Sequence, residues 1–475
     1  MMRIFFLVLL SATFCCRPLP AQEFSALAGS PYGGAINTFS QPAAGAVMPY
    51  HWDLEVAGAD GFWNNNIFSF SPTRWNWRQD SLGPHGHFIR GDKKRWAAVR
   101  GDVHLVNFLI RLPAAPLWVF GAGWNLHSAS WPGGLQFAYD DSMRSTADFM
   151  EANAFNKLQH GTLVDQQWNE WYVTASRIVS DNSLGRFTAG GTLKLVKGIS
   201  AFVVDLDRLS VGFDNQTSKE LVFTSAAGRF GYSRNLADLE DATGFSDAVG
   251  SLLNGSPLSP AVDVGVTYTR KRQSLIHGFS SDDPVDYDWK LEASLTDIGR
   301  AKYPLGDLSS AVTGLQGTPG VERFARMMDS VGTLAELKDS LAQIAVLKPW
   351  TGALSVSLPT ALRVNFDKSL PGHFYLNAQL ALDMSFLVPG VDYRIHQLSY
   401  LELTPRWEIR RLGVYAPLYV NTHGSVMTGA ALRLGPLVAG VNGFRWMFHA
   451  AAAGGAYVGL VIHGRYNRKN ECPVF

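Results

Sequence analysis

Apolar and polar residues alternate with a period of two through most of the chain beyond residue 21. Val262, Val264, Val266 and Tyr268 form one apolar row, and Asp263, Gly265, Thr267 and Thr269 form the row between them. Trp289, Leu291, Ala293 and Leu295 alternate with Lys290, Glu292, Ser294 and Thr296. The same holds for Leu362, Val364 and Phe366, and for Phe374, Leu376, Ala378, Leu380 and Leu382. Successive side chains of a strand point to opposite faces, so each segment predicts a strand with one apolar and one polar side. Such segments fall near 52–58, 62–70, 99–112, 117–126, 168–179, 186–196, 199–207, 221–232, 261–271, 287–297, 353–367, 374–384, 397–409, 412–421, 427–441 and 456–466. Many connections carry turn chemistry, as in Asp181-Asn182, Leu370-Pro371-Gly372 and Asn421 to Gly424, which predicts an antiparallel sheet.

A water-soluble sandwich also alternates. Three features favour a membrane barrel instead. Polar rows carry charges in mid-strand. The segments run to about 10 residues, enough to cross a bilayer at a tilt. Aromatics recur near strand ends or along apolar rows, as in Trp118, Phe120 and Trp124, then Trp168 and Trp171, then Trp407 and Tyr415. Backbone donors cannot stay unpaired in hydrocarbon, so a membrane sheet must close. The expected fold is all-β, a closed antiparallel transmembrane β-barrel of about 14 strands, within roughly 12 to 16, with small helical insertions. Val458, Leu460, Ile462 and Gly464 lead to Tyr466, which reads as a C-terminal barrel-assembly signal.

Three segments break the alternation. Residues 127–167 read as a long loop with a short helix, and 234–254 as weakly helical. Residues 320–348 read as a helical pair. Val321, Phe324, Met328 and Val331 share one face, Gly332 interrupts, and Thr333 with Glu336 makes a capping box before Leu334, Leu337, Leu341 and Ile344. Counting strands back from the C-terminus puts this pair at the same barrel end as the C-terminus, the periplasmic side.

Arg3, the apolar run Ile4 to Leu10 and Leu19-Pro20-Ala21 have the form of a secretory signal peptide over 1–21, leaving 22–475 as the barrel. Two of the 3 cysteines, Cys15 and Cys16, fall in that peptide, and Cys472 alone remains. Export without disulfides suits a bacterial cell outer membrane. Lys plus Arg is 41 against 40 for Asp plus Glu, a balance that argues against a nucleic-acid partner. Charged residues are 17%, below the ~25% of soluble domains, and aromatics reach 12%, as expected where apolar surface faces lipid.

The C-terminal half carries the series AVDVGVTY (261–268), LEASLTDIG (291–299), LPTALRVNF (358–366), LTPRW (403–407), GVYAP (413–417) and AALRLGP (430–436). This series resembles a family of uncharacterised outer-membrane proteins of Bacteroidota, a domain of unknown function. That family is similar to barrels of the long-chain fatty-acid transporter type and to the related barrel of the type IX secretion system. The resemblance implies an outer-membrane barrel with lipid-like substrates, and brings no catalytic, hatch or ligand residue.

No Gly-x-Ser-x-Gly elbow, P-loop or His-Glu-x-x-His occurs. Asp102 and His104 share a strand face near Ser128 and Ser130, a pairing that chance explains among 12 histidines. Asp282, Asp283, Asp286 and Asp288 form an acidic loop without EF-hand spacing. Arg90, Lys93, Lys94 and Arg95 read as a basic patch. No catalytic, metal or cofactor site is expected. The residues expected to face the lumen are Arg363, Asn365, Asp367, Tyr375, Asn377, Gln379 and Asp383. The expected role is a porin-like channel or transporter for small hydrophobic molecules; the alternative is a non-conducting scaffold that docks an envelope or secreted protein. Neither reading is of an enzyme, and the constant partner in both is outer-membrane lipid.

Overall fold

In a computed structural model of the protein, which describes residues 24–70, 86–143, 146–153, 159–214, 220–236, 255–272, 287–331 and 333–465, the alternating segments close into an antiparallel barrel of 14 wall strands. In chain order they are β1 (Trp52–Asn65), β2 (Gly91–Arg111), β3 (Trp118–Tyr139), β4 (Gln159–Asp181), β5 (Gly185–Phe213), β6 (Leu258–Lys271) and β7 (Tyr287–Pro304). The second half is β8 (Ala361–Ser369), β9 (Phe374–Asp383), β10 (Tyr400–Ile409), β11 (Leu412–Tyr415 with Leu418–Asn421), β12 (Val426–Leu434), β13 (Leu437–Asn442) and β14 (Ala453–His463). Each pairs with the next, and β1 pairs with β14 from Asp53↔His463 to Asn64↔Ala453, so the wall has no edge.

The fold class and strand number match the sequence expectation, although individual boundaries move. Segments 186–196 and 199–207 are one strand, β5; 52–58 with 62–65 is β1, and Phe68–Phe70 is a separate short strand paired with Gly86–Phe88. Residues 127–167 are mostly wall: β3 and β4 cover much of them, with a helix at Thr146–Ala152 between. Segment 221–232 is a strand outside the wall. It pairs with the upper part of β5 and with Ser310–Leu315. Segment 427–441 is a hairpin, because Gly435 (φ +57°) and Pro436 form a tight turn inside the apolar run. That missed turn shifts the count by one, so the helical pair Val321–Ser330 and Leu334–Ala342 lies at the end opposite the C-terminus. It shares that end with most of the long connections, whereas the opposite end has short turns such as 181–185, 409–412 and 434–437 and one long connection, 272–286. The capping box of Thr333 and Glu336 forms as expected. Residues 1–21, 237–254 and Tyr466 lie outside the described residues.

Alternation sets the two sides of the wall. Leu193 and Leu195 on β5 are 64% and 52% exposed, while Lys194 between them is 7% exposed. On β6, Val264 and Val266 are exposed, and Asp263 and Thr267 are buried. The outward rows are the apolar ones, the reverse of a water-soluble protein and the arrangement that hydrocarbon requires. No helix of the described residues is long and apolar enough to cross a membrane.

The lumen is filled from both ends. From the short-turn end, residues 24–50 fold inside the wall, with nearly every residue buried. This stretch alternates with no period of two. Small residues such as Ala26, Ala28, Ala35 and Ala43 to Ala46 let short helical turns fit within the cylinder. From the other end, Ala353–Ser357 and Tyr393, Ile395 and Leu398 pack inward. Leu354, Val356, Tyr393 and Ile395 make one apolar cluster with Trp168, Val203, Ala301 and Tyr303 of the wall.

Candidate functional site

The interior site begins with the plug, residues 24–50, and the groups that hold it. Gly29 has φ +72°, and a Cβ there would lie 2.4 Å from Asn377 Nδ2. Its carbonyl accepts from Lys290 Nζ at 2.7 Å and from Arg406 Nη2 at 3.4 Å. Ser30 donates to Glu408 Oε1 at 2.6 Å, and Ala35 N–H donates to Asp53 Oδ1 at 2.9 Å. Gln41 Nε2 donates to the wall carbonyls of Val266 and Ala293, and Arg111 Nη2 donates to the carbonyl of Ala46. Gly265 and Gly190 line the wall where the plug passes. A Cβ on Gly265 would sit 1.9 Å from Gln41 Oε1, and one on Gly190 would sit 2.5 Å from the carbonyl oxygen of Pro42.

On the β7–β12 side the inward charges are paired with one another. Arg406 is fully buried and spans Asp367 (2.6 Å) and Glu408 (3.0 Å). Lys290 bonds Glu292 at 3.1 Å. Tyr415 donates to Glu408, and Arg433 lies over the ring of Tyr32 at 4.6 Å. Breaking one partner of such a buried pair costs roughly 3–5 kcal/mol, since the other charge stays buried.

On the opposite side, between the plug and a wall arc that runs from β1 through β7 to Arg363 of β8 and Gln379 of β9, lies a narrow cavity of about 50 Å³. The plug contributes Phe24, Ile36 and Phe39, and the wall contributes charges. Asp102 bonds His127 Nδ1 at 2.6 Å and Arg100 Nε at 3.0 Å. His104 Nδ1 lies 2.8 Å from Glu55 and its Nε2 lies 3.7 Å from Asp60. Lys194 sits among Asp297 (2.6 Å), Asp263 (2.9 Å) and Glu170 (3.5 Å). Asp297 reaches this point through a bulge. The β6–β7 register shifts between Leu295 and Ile298, and Asp297 takes φ +58°, so Thr296 and Asp297 both turn inward. A second, adjoining pocket of about 10 Å³ lies along Gly29, Gln41, Glu292, Arg363 and Asn365.

The residues named from sequence divide into three groups. Arg363 and Gln379 line both cavities, and Asn365 lines the second while donating to Glu292 at 2.6 Å. Asp367, Tyr375 and Asn377 belong to the plug anchor. Asp367 accepts from Arg406, Tyr287 and Asn377, and Tyr375 lies 4.8 Å from the Arg406 guanidinium. Asp383 sits at the long-loop end, half-buried, bonded to His396 at 2.7 Å and to Ser385. Sequence reasoning did not single out Lys194, Asp263 or Lys290 as interior groups. Their signal was present: each is a charge between two apolar neighbours on an alternating strand. Glu170 and Asp297 follow bulges, where alternation gives no guide.

Other sequence features fall elsewhere. Among the described residues no serine hydroxyl bonds His104 or His127; their carboxylate partners occupy them. Arg95 is no surface charge, being 2% exposed and donating to the carbonyls of Phe137, Asn66, Ile89 and Gly91. Asp282, Asp283 and Asp286 lie outside the described residues, and Asp288 pairs with Lys368.

Comparison with solved structures adds three similar folds. The Ralstonia pickettii toluene transporter TbuX aligns at 9% identity and a TM-score of 0.43, over 93% of this chain and 100% of that one. A Pseudomonas aeruginosa FadL homologue aligns at 11% identity and a TM-score of 0.41, over 94% and 98%. A deltaS2S3 mutant of the TodX monoaromatic hydrocarbon channel aligns at 12% identity and a TM-score of 0.42, over 90% and 94%. No curated protein matches the chain. A family model does match, over residues 42–442, which takes in the plug's last turn and the wall through β13, and the chain belongs to that family, a family of unknown function (DUF5723).

Proposed function

We propose that the protein is an outer-membrane channel that takes small, partly apolar solutes past its N-terminal plug. The observation that carries this reading is the cavity between plug and wall, apolar on the plug side at Phe24, Ile36 and Phe39 and polar on the wall side. A general porin needs a water-filled lumen, whereas this interior is occupied by residues 24–50 from one end and by Leu354, Val356, Tyr393 and Ile395 from the other. Passage therefore calls for a guest that gains from both kinds of wall, and for limited rearrangement of the plug. Uptake of a radiolabelled monocyclic aromatic solute, measured in cells with and without the protein in their outer membrane, tests the reading. Faster uptake with the protein is expected. Equal uptake in both would sink it.

A further inference from the structure

We infer that the cavity beside Glu170 takes the cationic end of its solute, a protonated amine on an apolar body, and turns carboxylates away. This rests on the channel reading above and names the solute class. Four carboxylates line the cavity, Asp60, Asp102, Glu170 and Asp297, while Glu55 and Asp263 bond His104 and Lys194 from outside its lining. Against them stand three fixed cations, Arg100, Lys194 and Arg363, and the two imidazoles of His104 and His127. An anionic guest would bring a second negative charge beside Glu170 in a place of low dielectric, and an ammonium would offset the one already there.

The unpartnered atoms point the same way. Glu170 is 2% exposed and lines the cavity; Lys194 Nζ lies 3.5 Å from its Oε1, while its Oε2 accepts no hydrogen bond among the described residues and has His127 Nε2 at 3.7 Å. Gln379 Oε1, on a residue 3% exposed across the cavity, also accepts none. In the adjoining chamber the same holds for Asn365 Oδ1. All three atoms are acceptors. An ammonium offers donors and no acceptor, which suits each of them singly; a carboxylate offers acceptors alone and suits none, and of the lining's unpartnered atoms His127 Nε2 alone is a nitrogen beside Glu170. The apolar body would lie against Phe24, Ile36 and Phe39 of the plug.

Calorimetric titration of the full-length barrel in detergent tests this with three isosteres: 3-phenylpropylammonium, 3-phenylpropan-1-ol and 3-phenylpropionate. The ammonium should bind about tenfold or more tighter than the alcohol, and the carboxylate weakest, the scale of one charge-assisted hydrogen bond. Glu170→Gln should remove most of that preference and leave the alcohol unchanged. Should Glu170→Gln fail to show the folded barrel's heat-modifiable gel migration, Gln379→Leu takes its place and should weaken the ammonium alone. Equal binding of ammonium and carboxylate, or a preference untouched by the substitution, overturns the inference. If that happens while aromatic uptake persists in cells, the channel reading stands; loss of binding for all three together with absent uptake removes both.

Discussion

The two sides of the lumen use the same inward polar rows for different ends. On the β7–β12 side, Arg406, Asp367, Glu408, Lys290 and Glu292 bond one another and the plug backbone at Gly29 and Ser30. On the β1–β7 side, Asp102, His127, Glu170 and Lys194 border a cavity, and some of their polar atoms meet no partner. One side is spent on holding a segment of the protein's own chain. The other also holds the plug, through Asp53, Arg111 and the carbonyl of Val266, and leaves the rest of its surface to the cavity. A polar lumen is therefore not a uniform medium, and an inward charge has to be read with the group it faces before a role is given to it.

The largest expected effect comes from removing the plug itself. Deletion of 24–50 should raise planar-bilayer conductance on the order of tenfold, because the wall alone encloses a polar lumen. Unchanged conductance would mean that the inner end packed by Leu354 and Tyr393 closes the barrel by itself. Next comes Arg406→Ala, which leaves Asp367 and Glu408 buried without their cation and should cost roughly 3–5 kcal/mol in urea unfolding. A cost near zero would erase the contrast between the two sides. Gly29→Ala acts on the plug alone. The positive φ and the crowding by Asn377 should cost about 1–3 kcal/mol locally, seen as faster hydrogen exchange across 24–37 with the wall unaffected. The smallest effect belongs to the cavity side: Gln379→Leu removes an unsatisfied acceptor and should change unfolding by less than about 1 kcal/mol. A large loss there would show that Gln379 is part of an anchor after all.

The wall was legible because alternation is local. Val262 to Thr269 and Phe374 to Asp383 state their inward and outward rows without reference to any other strand. Errors came where a local rule was interrupted. The Gly435-Pro436 turn lies inside an apolar run and reads as continuous strand, which reversed the side given to the 321–342 helices. The bulge at Asp297 turns two neighbours to one face, which no period of two can show. Asn365, Asp367 and Asn377 of β8 and β9 shared one inward face in the sequence reading, yet Asn365 borders a cavity while Asp367 and Asn377 serve the plug anchor.

The plug had no local signature at all. Small residues, two glycines with positive φ and a few polar side chains describe many loops equally well. By itself the order of residues determined a closed antiparallel barrel with apolar rows outward, since side-chain direction along a strand depends on nothing beyond the strand. Only the tertiary structure decided that residues 24–50 lie within that barrel, and so which inward charges are occupied and which face the cavity. Those contacts join positions such as Ser30 and Glu408 or Gly29 and Lys290, which are distant in the chain and brought together by closure of the wall.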